Sequence, residues 1–325
     1  MADDRLPETL VRLASRLRTE RQLRRLSRLP SASAERVSFA VLGDAEPSRF
    51  WIYRKLFNRE GVFHDQMHAI QGMPLTFTVQ LGDMVSKGTL ANYDEFFRGL
   101  RRVWSGRPYL TVIGNHDRSR PNGKSHSTLY RGLFGKPNYF FDHGGVRFVV
   151  LDSSAKRVSR AQLKWLRMAL AVSGRKIVFT HMPPVHLGLW GGVGAVHELG
   201  GFLAGSREFA EIVSAAGVSR VYMGHVHAFG VQDHGGVRYV LTGGGGSALF
   251  PSGNDDRFHH FLTVTVGPGG IEERVHMLDG KVFHIPRGLV ILPTHDDERK
   301  SWWESALHGF REAAAALPAR RGPRR

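Results

Sequence analysis

The sequence predicts an α/β fold in which two mixed β-sheets face each other and are flanked by helices. Along residues 37–285, apolar strand-like runs alternate with stretches of helical apolar spacing, as in domains built from crossover units. Further pairs of strand-like runs are joined by short glycine-containing turns, which are typical of antiparallel hairpins. Crossovers give parallel strands and hairpins give antiparallel ones, so sheets of mixed direction are expected.

Short apolar runs bounded by glycine or other turn residues predict the strands that carry the chemistry. These runs are Val37–Leu42, Leu75–Leu81, Tyr109–Ile113, Ile177–Thr180 and Val218–Met223. Each leads directly into a residue that can bind a metal ion or a phosphate. Ligands of open α/β sheets bind outside the carboxyl ends of the strands, so we expect these residues to gather at one edge of one sheet.

The remaining elements follow from apolar spacing and from the position of glycines. Helical spacing covers Ser48–Asn58, Leu90–Val103, Arg160–Val172 and Ser206–Ala216. The hairpins pair Tyr139–Asp142 with Val146–Leu151, Gly230–Asp233 with Val237–Leu241, and Phe261–Val266 with Glu272–Met277. The first two hairpin turns contain Gly-Gly, which supplies the positive φ angles of a tight turn.

The length of 325 residues allows one large domain with terminal extensions. We predict an N-terminal extension over residues 1–36, the domain over 37–285 and a C-terminal extension over 286–325. The absence of cysteine rules out disulfides and thiolate metal ligands. No apolar run approaches the ~18 residues of a membrane span. The N-terminus also lacks the apolar segment of a secretory signal, so a cytoplasmic location is expected.

Both extensions are basic and amphipathic. In the first, nine arginines stand against five acidic residues, and one helical face carries Leu6, Leu10, Leu13 and Leu17. In the second, an apolar face followed by a basic tail carries Trp302, Trp303, Leu307 and Phe310. Either segment could pack on the domain or a partner subunit, or make weak contact with a membrane surface or nucleic acid. The net charge of +16 favours anionic partners, although a solvated arginine-rich surface explains it equally well.

Five polar motifs follow the five apolar runs. In chain order they are Gly43-Asp44-Ala45-Glu46, Gly82-Asp83, Gly114-Asn115-His116-Asp117, His181 and Gly224-His225-Val226-His227. Asp, Asn and His provide the oxygen and nitrogen donors that suit Mn, Fe, Zn or Mg, and a set of this size can hold two ions. The order and context of these motifs resemble the calcineurin-like metallophosphoesterase superfamily.

The resemblance implies a four-layer α/β/β/α sandwich and a role for each motif residue. Asp83 would bridge two metal ions, with Asp44 and His227 on the first ion. The second ion would take Asn115, His181 and His225. His116 matches the histidine that contacts the substrate and can protonate the leaving oxygen, for which its ordinary pKa is suitable. A histidine that only orients Asn115 is the alternative.

Arg118 and Lys87 are candidate phosphate ligands because they lie close in sequence to Asp117 and Asp83. Arginine can grip two phosphoryl oxygens in a fork, whereas lysine acts as a point charge. Ordinary surface charge is an equally good interpretation of both. Asn115 would contribute to substrate binding as well as to metal ligation.

The sequence departs from the family pattern at two positions. The first motif usually reads Asp-x-His, but here Glu46 stands in place of the histidine. If Glu46 is a ligand, the site becomes richer in oxygen and favours Mn, Fe or Mg over Zn. If it points away, the first ion is weakly held or absent. At the second position, Ser86 replaces an aspartate that pairs with the substrate-contacting histidine in protein phosphatases, and a serine cannot raise the basicity of His116 in the same way.

These residues predict a metal-dependent phosphohydrolase that cleaves a phosphodiester or phosphomonoester with a hydroxide bridging two metal ions. A nuclease or cyclic-nucleotide phosphodiesterase is one alternative, supported by the positive charge. The other is a metal-containing scaffold in which Glu46 and Ser86 have impaired catalysis. Neither the physiological substrate nor the oligomeric state follows from the sequence.

Overall fold

The structure, a computed structural model, describes residues 8–29, 36–46, 61–120, 125–187, 201–249, 257–286 and 288–291. The helices are α1 (Glu8–Leu17), α2 (Thr19–Leu26), α3 (Val62–Gln71), α4 (Leu90–Val103), α5 (Thr128–Phe134), α6 (Arg160–Leu170) and α7 (Ser206–Ala215). A short 3₁₀ turn spans Val185–Leu187. The predicted helix at 48–58 and the predicted C-terminal helix lie outside the described residues.

Two six-stranded mixed sheets form the centre of the fold. The strands are β1 (Val37–Leu42), β2 (Phe77–Gln80), β3 (Tyr109–Thr111), β4 (Tyr139–His143), β5 (Val146–Leu151), β6 (Arg175–Thr180), β7 (Arg220–Met223), β8 (Phe229–His234), β9 (Val237–Thr242), β10 (His260–Gly267), β11 (Gly270–Met277) and β12 (Val282–His284). The first sheet has the order β12-β11-β10-β1-β2-β3 and the second β4-β5-β6-β7-β9-β8. Strands β1 to β3 run parallel, as do β5, β6, β7 and β9, while the predicted hairpins are antiparallel.

The main core lies between the two sheets. Phe39 and Phe77 of the first sheet meet Phe148 of the second, with a ring-centroid distance of 5.5 Å between Phe39 and Phe148. The alternate residues of β1, Ala40 and Leu42, face outwards and pack with α1, α3, α4 and α5. The outer face of the second sheet packs with α6 and α7 in the same manner. The predicted four-layer α/β/β/α sandwich is therefore confirmed.

One expectation was wrong: the five motif-bearing strands do not belong to one sheet. β1, β2 and β3 lie in the first sheet, whereas β6 and β7 lie in the second. Because the two sheets stack face to face, their carboxyl ends still meet at one edge of the sandwich. An apolar run in the sequence predicts a strand. It does not show whether that strand pairs with the others in one sheet or lies in the sheet that faces them.

The N-terminal residues form two helices that pack on the domain. Ala14 and Leu17 of α1 are buried in the outer core of the first sheet, and Leu26 of α2 reaches the core between the sheets. Gln22 Oε1 accepts a hydrogen bond of 2.8 Å from the backbone N–H of Tyr109, so α2 covers part of the open edge of β3. Among the described residues, no helix combines the length and apolar character that crossing a bilayer requires.

Candidate metal centre

The candidate centre is built on strained loops directly after the strands. Asp44, Asp83 and His225 have φ angles of 56°, 48° and 73°. Lys156 is the only other non-glycine residue with positive φ in the described part of the chain. Such a conformation is unfavourable for a residue with a Cβ and persists only where surrounding contacts enforce it. The strain is therefore concentrated at the residues predicted to bind metal.

Glycines let these loops approach each other closely. A Cβ on Gly114 would overlap the carboxylate and the backbone N–H of Asp83, and a Cβ on Gly224 would overlap the carboxylate of Asp44. Gly114 and Gly224 are therefore needed to admit the carboxylates of Asp83 and Asp44. Gly82 has the additional requirement of a φ of 97°.

Backbone hydrogen bonds fix both carboxylates across the loops. The N–H of His225 donates to Asp44 Oδ1 and Oδ2 at 3.0 and 2.9 Å, which joins the second sheet to the first. The N–H of His116 donates to Asp83 Oδ1 at 2.8 Å. Both aspartates are almost fully buried. Their positions are thus determined by the backbone of other motifs rather than by local turn preference alone.

The residues predicted for the second ion converge. His181 Nδ1 donates to the carbonyl of Leu81 at 2.8 Å, which leaves Nε2 directed at Asp83 Oδ2 (3.2 Å) and Asn115 Oδ1 (3.0 Å). The rings of His181 and His225 lie 5.2 Å apart, and His225 Nε2 is buried without a hydrogen-bond partner among the described residues. Asp83, His181 and His225 can each offer a ligand atom within 4.8 Å of the others.

The residues predicted for the first ion lie beside this group but are less tightly gathered. His227 Nδ1 donates to the carbonyl of Ala248 at 2.8 Å, and its Nε2 lies 3.8 Å from Asp44 Oδ1. Glu46 is also buried, and the hydroxyl of Ser247 donates to its carbonyl at 3.0 Å. The ring nitrogens that face the centre are therefore oriented by backbone carbonyls, as is usual for metal-ligating histidines.

Burial and mutual charge shift the pKa values of the ionisable groups in the centre. Burial, together with the charges of Asp83 and Glu46, raises the pKa of Asp44 to about 8. Burial opposes ionisation of Asp83 as well, but His181 and neighbouring histidines lower its pKa well below the ordinary value. Burial alone would lower the pKa of His181, yet Asp83 and Asp44 raise it to about 9. A proton on His181 thus offsets the charge of Asp83, a role that a metal ion can also take.

A backbone carbonyl orients the ring of His116. Its Nδ1 donates to the carbonyl of Ser86 at 2.9 Å, a contact that does not depend on which side chain stands at position 86. Burial lowers the pKa of His116, but the charges of Asp83 and Glu46 and this hydrogen bond raise it above the ordinary value overall. Its Nε2 is left as the nitrogen that can hold a transferable proton.

Asp117 joins two of the motifs through backbone hydrogen bonds. Its carboxylate accepts hydrogen bonds from the backbone N–H groups of Gly114 (2.8 Å) and Met84 (3.0 Å). It therefore ties the loop after β3 to the loop after β2. No role was predicted for Asp117, because the backbone N–H groups that it binds carry no signal in the sequence.

The two candidate phosphate ligands lie in different surroundings. Arg118 is half-buried and donates to the hydroxyl of Ser154 at 3.0 Å and to the carbonyl of Ser125. Lys87 is exposed, and its carbonyl accepts a hydrogen bond from Asn92 at 2.8 Å. Contact of either side chain with a phosphate stays a prediction.

The sandwich and its clustered carboxylates, amide and histidines define the class of metal-dependent phosphoesterases. The family model of the calcineurin-like phosphoesterases matches residues 37–229, more than half of the chain, and the protein belongs to this family. Membership places it among hydrolases that act on phosphate ester bonds. The family typically binds two metal ions, and the group of Asp83, His181 and His225 is a candidate site. Comparison with curated proteins gives no match.

Solved structures support the fold. Purple acid phosphatase PPD1 from yellow lupin (Lupinus luteus) seeds aligns over 79% of this chain and 54% of its own, with 16% identity and a TM-score of 0.61. The chain thus spans about half the length of the lupin protein. GAP50, described as the anchor in the inner membrane complex of Plasmodium, aligns over 87% of this chain and 95% of its own, with 16% identity and a TM-score of 0.53. These similarities show a common fold.

Proposed function

We propose that the protein is a phosphohydrolase that cleaves a phosphodiester or phosphomonoester at a centre of two metal ions. The observation that carries the proposal is the convergence of His181 Nε2 on Asp83 Oδ2 and Asn115 Oδ1, beside the buried and unpartnered Nε2 of His225. These atoms converge on a common position, and His225 Nε2 lacks the hydrogen-bond partner that a buried polar atom requires.

The donor set fits two ions of the Mn, Fe, Zn or Mg type. Asp83 would be shared, the second ion would take the convergent group described above, and the first would take Asp44, His227 and Glu46. Two bound ions supply a hydroxide nucleophile at neutral pH and neutralise charge on the phosphoryl oxygens. Carboxylate ligation by Glu46 would favour Mn or Fe.

The protein residues contribute positioning and a proton. Asn115 is neutral, so it adds a ligand without adding negative charge that would repel a phosphate. His116 would donate the proton on Nε2 to the leaving oxygen, because its Nδ1–H is already used on Ser86. Arg118, Lys87 and Asn115 would contact the phosphate.

Purified protein supplemented with Mn should hydrolyse an aryl phosphodiester or phosphomonoester, and a chelator should abolish that activity. The same preparation should be offered plasmid DNA, single-stranded DNA and cyclic nucleotides. Preferential and chelator-sensitive cleavage of DNA or of a cyclic nucleotide would favour the corresponding alternative. Metal binding without turnover on any of these substrates would favour the metal-containing scaffold and would contradict the proposal.

Glu46 is expected to bind the first ion, because it is buried and its charge acts on both Asp44 and His116. Glu46→Gln should weaken metal binding and turnover together, and excess Mn should partly restore turnover. Glu46→His should shift the preference towards Zn, because a neutral nitrogen replaces a charged oxygen.

Calorimetric titration of the three metal-free proteins with Mn and with Zn measures this effect. If the wild-type protein and both variants bind each metal with the same affinity and stoichiometry, Glu46 is not a ligand.

A further inference from the structure

A concave basic surface lies between α2, α4 and the loop that leads into β3. Its volume is about 500 Å³, and it has arginines at its rim and Leu100 and Trp104 among its apolar lining. The rim arginines are Arg16, Arg21, Arg25 and Arg101. We call this cavity the arginine hollow. Its size falls within the ~300–1,000 Å³ range of small-molecule sites.

The charge continues along one face of α2 and the turn that follows it. Arg21, Arg24, Arg25 and Arg28 have i, i+3, i+4, i+7 spacing, so they share a helical face. They line a second cavity of about 290 Å³ that shares Arg21 and Arg25 with the arginine hollow. Along a helix this spacing covers about 10 Å, so guanidinium groups are available at several points along an extended anion.

These arginines have no carboxylate partners in the described part of the chain. Exposed arginines elsewhere do pair, as Arg98 does with Asp94 at 2.6 Å and Arg167 with Glu208 at 2.8 Å. Glu20 lies on α2, but no ion pair joins it to the arginines of either cavity. Favourable interaction with the carboxyl end of the helix accounts for one or two basic residues in the last turn. It does not account for the six arginines that line the two cavities together.

One of the guanidinium groups is held in place by its surroundings. The Arg25 guanidinium carbon lies 5.7 Å from the centroid of the Trp104 ring. Gly106, with a φ of 96°, passes so close that an added Cβ would lie 3.2 Å from Arg25 Nη2. Because residue 106 is a glycine, the loop can pack against the Arg25 guanidinium. This contact restricts the Arg25 side chain, so less side-chain entropy is lost when an anion binds.

The arginine hollow is separate from the metal centre. Ser105 and Gly106 lie just before β3, whereas Asn115 lies just after it, so the two sites are at opposite ends of the strand. An anion bound in the arginine hollow is therefore not the phosphate ester proposed to be cleaved at the metal centre. The inference does not depend on the proposed hydrolytic activity.

We propose that the arginine hollow binds a small ligand with two or more linked phosphate groups, such as an inorganic polyphosphate or a nucleoside polyphosphate. Arginine forks match phosphoryl oxygens, and the row along α2 suits phosphates in series. A membrane surface fits less well, because Leu26 of α2 is buried and Leu23 packs against the core, which leaves no apolar face to enter a bilayer.

Binding is tested with the full-length chain carrying Asp83→Asn in every protein, so that hydrolysis at the metal centre does not consume the probe. Inorganic tripolyphosphate, ATP and inorganic phosphate are titrated by calorimetry. Arg21→Gln with Arg25→Gln removes the two arginines shared by both cavities. The matched control is Arg160→Gln with Lys164→Gln, two exposed cationic residues at i, i+4 on α6 with no ion pair in the described structure.

Tripolyphosphate should bind more tightly than inorganic phosphate, and the Arg21/Arg25 double variant should weaken it by about tenfold or more, as expected for lost charge-assisted hydrogen bonds. The control pair should leave the affinity unchanged. If ATP binds more tightly than tripolyphosphate, the ligand is a nucleoside polyphosphate. If the two bind equally, the ligand is recognised through its polyphosphate chain alone. Equal affinity of tripolyphosphate for the double variant and its parent would overturn the proposal, as would binding only to vesicles that contain an acidic phosphoinositide.

If the Arg21/Arg25 double variant does not fold, Arg16→Gln with Arg101→Gln tests the same cavity. Both residues are exposed and line the arginine hollow. Tripolyphosphate affinity should fall in this variant as well. An unchanged affinity would again contradict the proposal.

Discussion

Replacing Asp83 by asparagine is expected to reduce metal-dependent turnover by at least about a thousandfold, or about 4 kcal/mol of transition-state stabilisation. Asparagine keeps an Oδ1 that can accept the hydrogen bond from the N–H of His116, so the loop should retain its conformation. It lacks the negative charge that both metal ions would share. The effect is measured as kcat on an aryl phosphate at saturating Mn.

The matched control is Asp142→Asn. This variant makes the same chemical change on β4. The Asp142 side chain is 62% exposed and pairs with Arg147. Turnover of this variant should equal that of the wild-type protein. Wild-type turnover in the Asp83→Asn protein would show that the observed activity does not arise at this centre.

A second large effect is expected from Gly114→Ala. The added methyl group would overlap the carboxylate and the N–H of Asp83, so the loop after β2 or the loop after β3 must move. Overpacking of this kind costs about 1–3 kcal/mol of folding free energy. Displacement of the Asp83 carboxylate should also lower the affinity for metal. A variant that is only less stable would keep the wild-type metal affinity in its folded state.

Thermal denaturation and Mn titration measure the two consequences of Gly114→Ala. Gly132→Ala is the matched control, because Gly132 lies within α5 and an added Cβ there would meet no atom within 4 Å. Its stability should stay the same or rise, since alanine favours a helix over glycine by about 0.5–1 kcal/mol. An unfolding temperature and an Mn affinity for Gly114→Ala equal to those of wild type would refute the close packing described for Asp83.

The sequence predicted the strands and hairpins well because their signals are local. The Gly-Gly turns after His143 and His234 and the apolar run of Val37–Leu42 each identify an element without reference to the rest of the chain. Helices α3 and α5 were not predicted. α5 has only seven residues, and α3 buries Gln66 with its apolar residues, so the periodicity of both is weak.

The metal-binding motifs were recognisable, but their arrangement depends on long-range contacts. The distribution of the five strands over two sheets follows from stacking across the Phe39 core, which no single run encodes. The orientation of His181, His227 and His116 depends on the backbone carbonyls of Leu81, Ala248 and Ser86. A carbonyl group is present at every residue, so the sequence carries no signal for these partners.

The central claim, a centre of two metal ions at the facing strand ends, is tested most directly by counting bound metal. Full-length protein is equilibrated with Mn, dialysed to remove unbound ions and analysed for metal content, in parallel with the Asp83→Asn protein. The proposed ligand set predicts two ions per wild-type chain and a loss of bound metal when Asp83 is replaced. A wild-type chain that holds one ion or none, or an Asp83→Asn chain that holds as much metal as wild type, would contradict it.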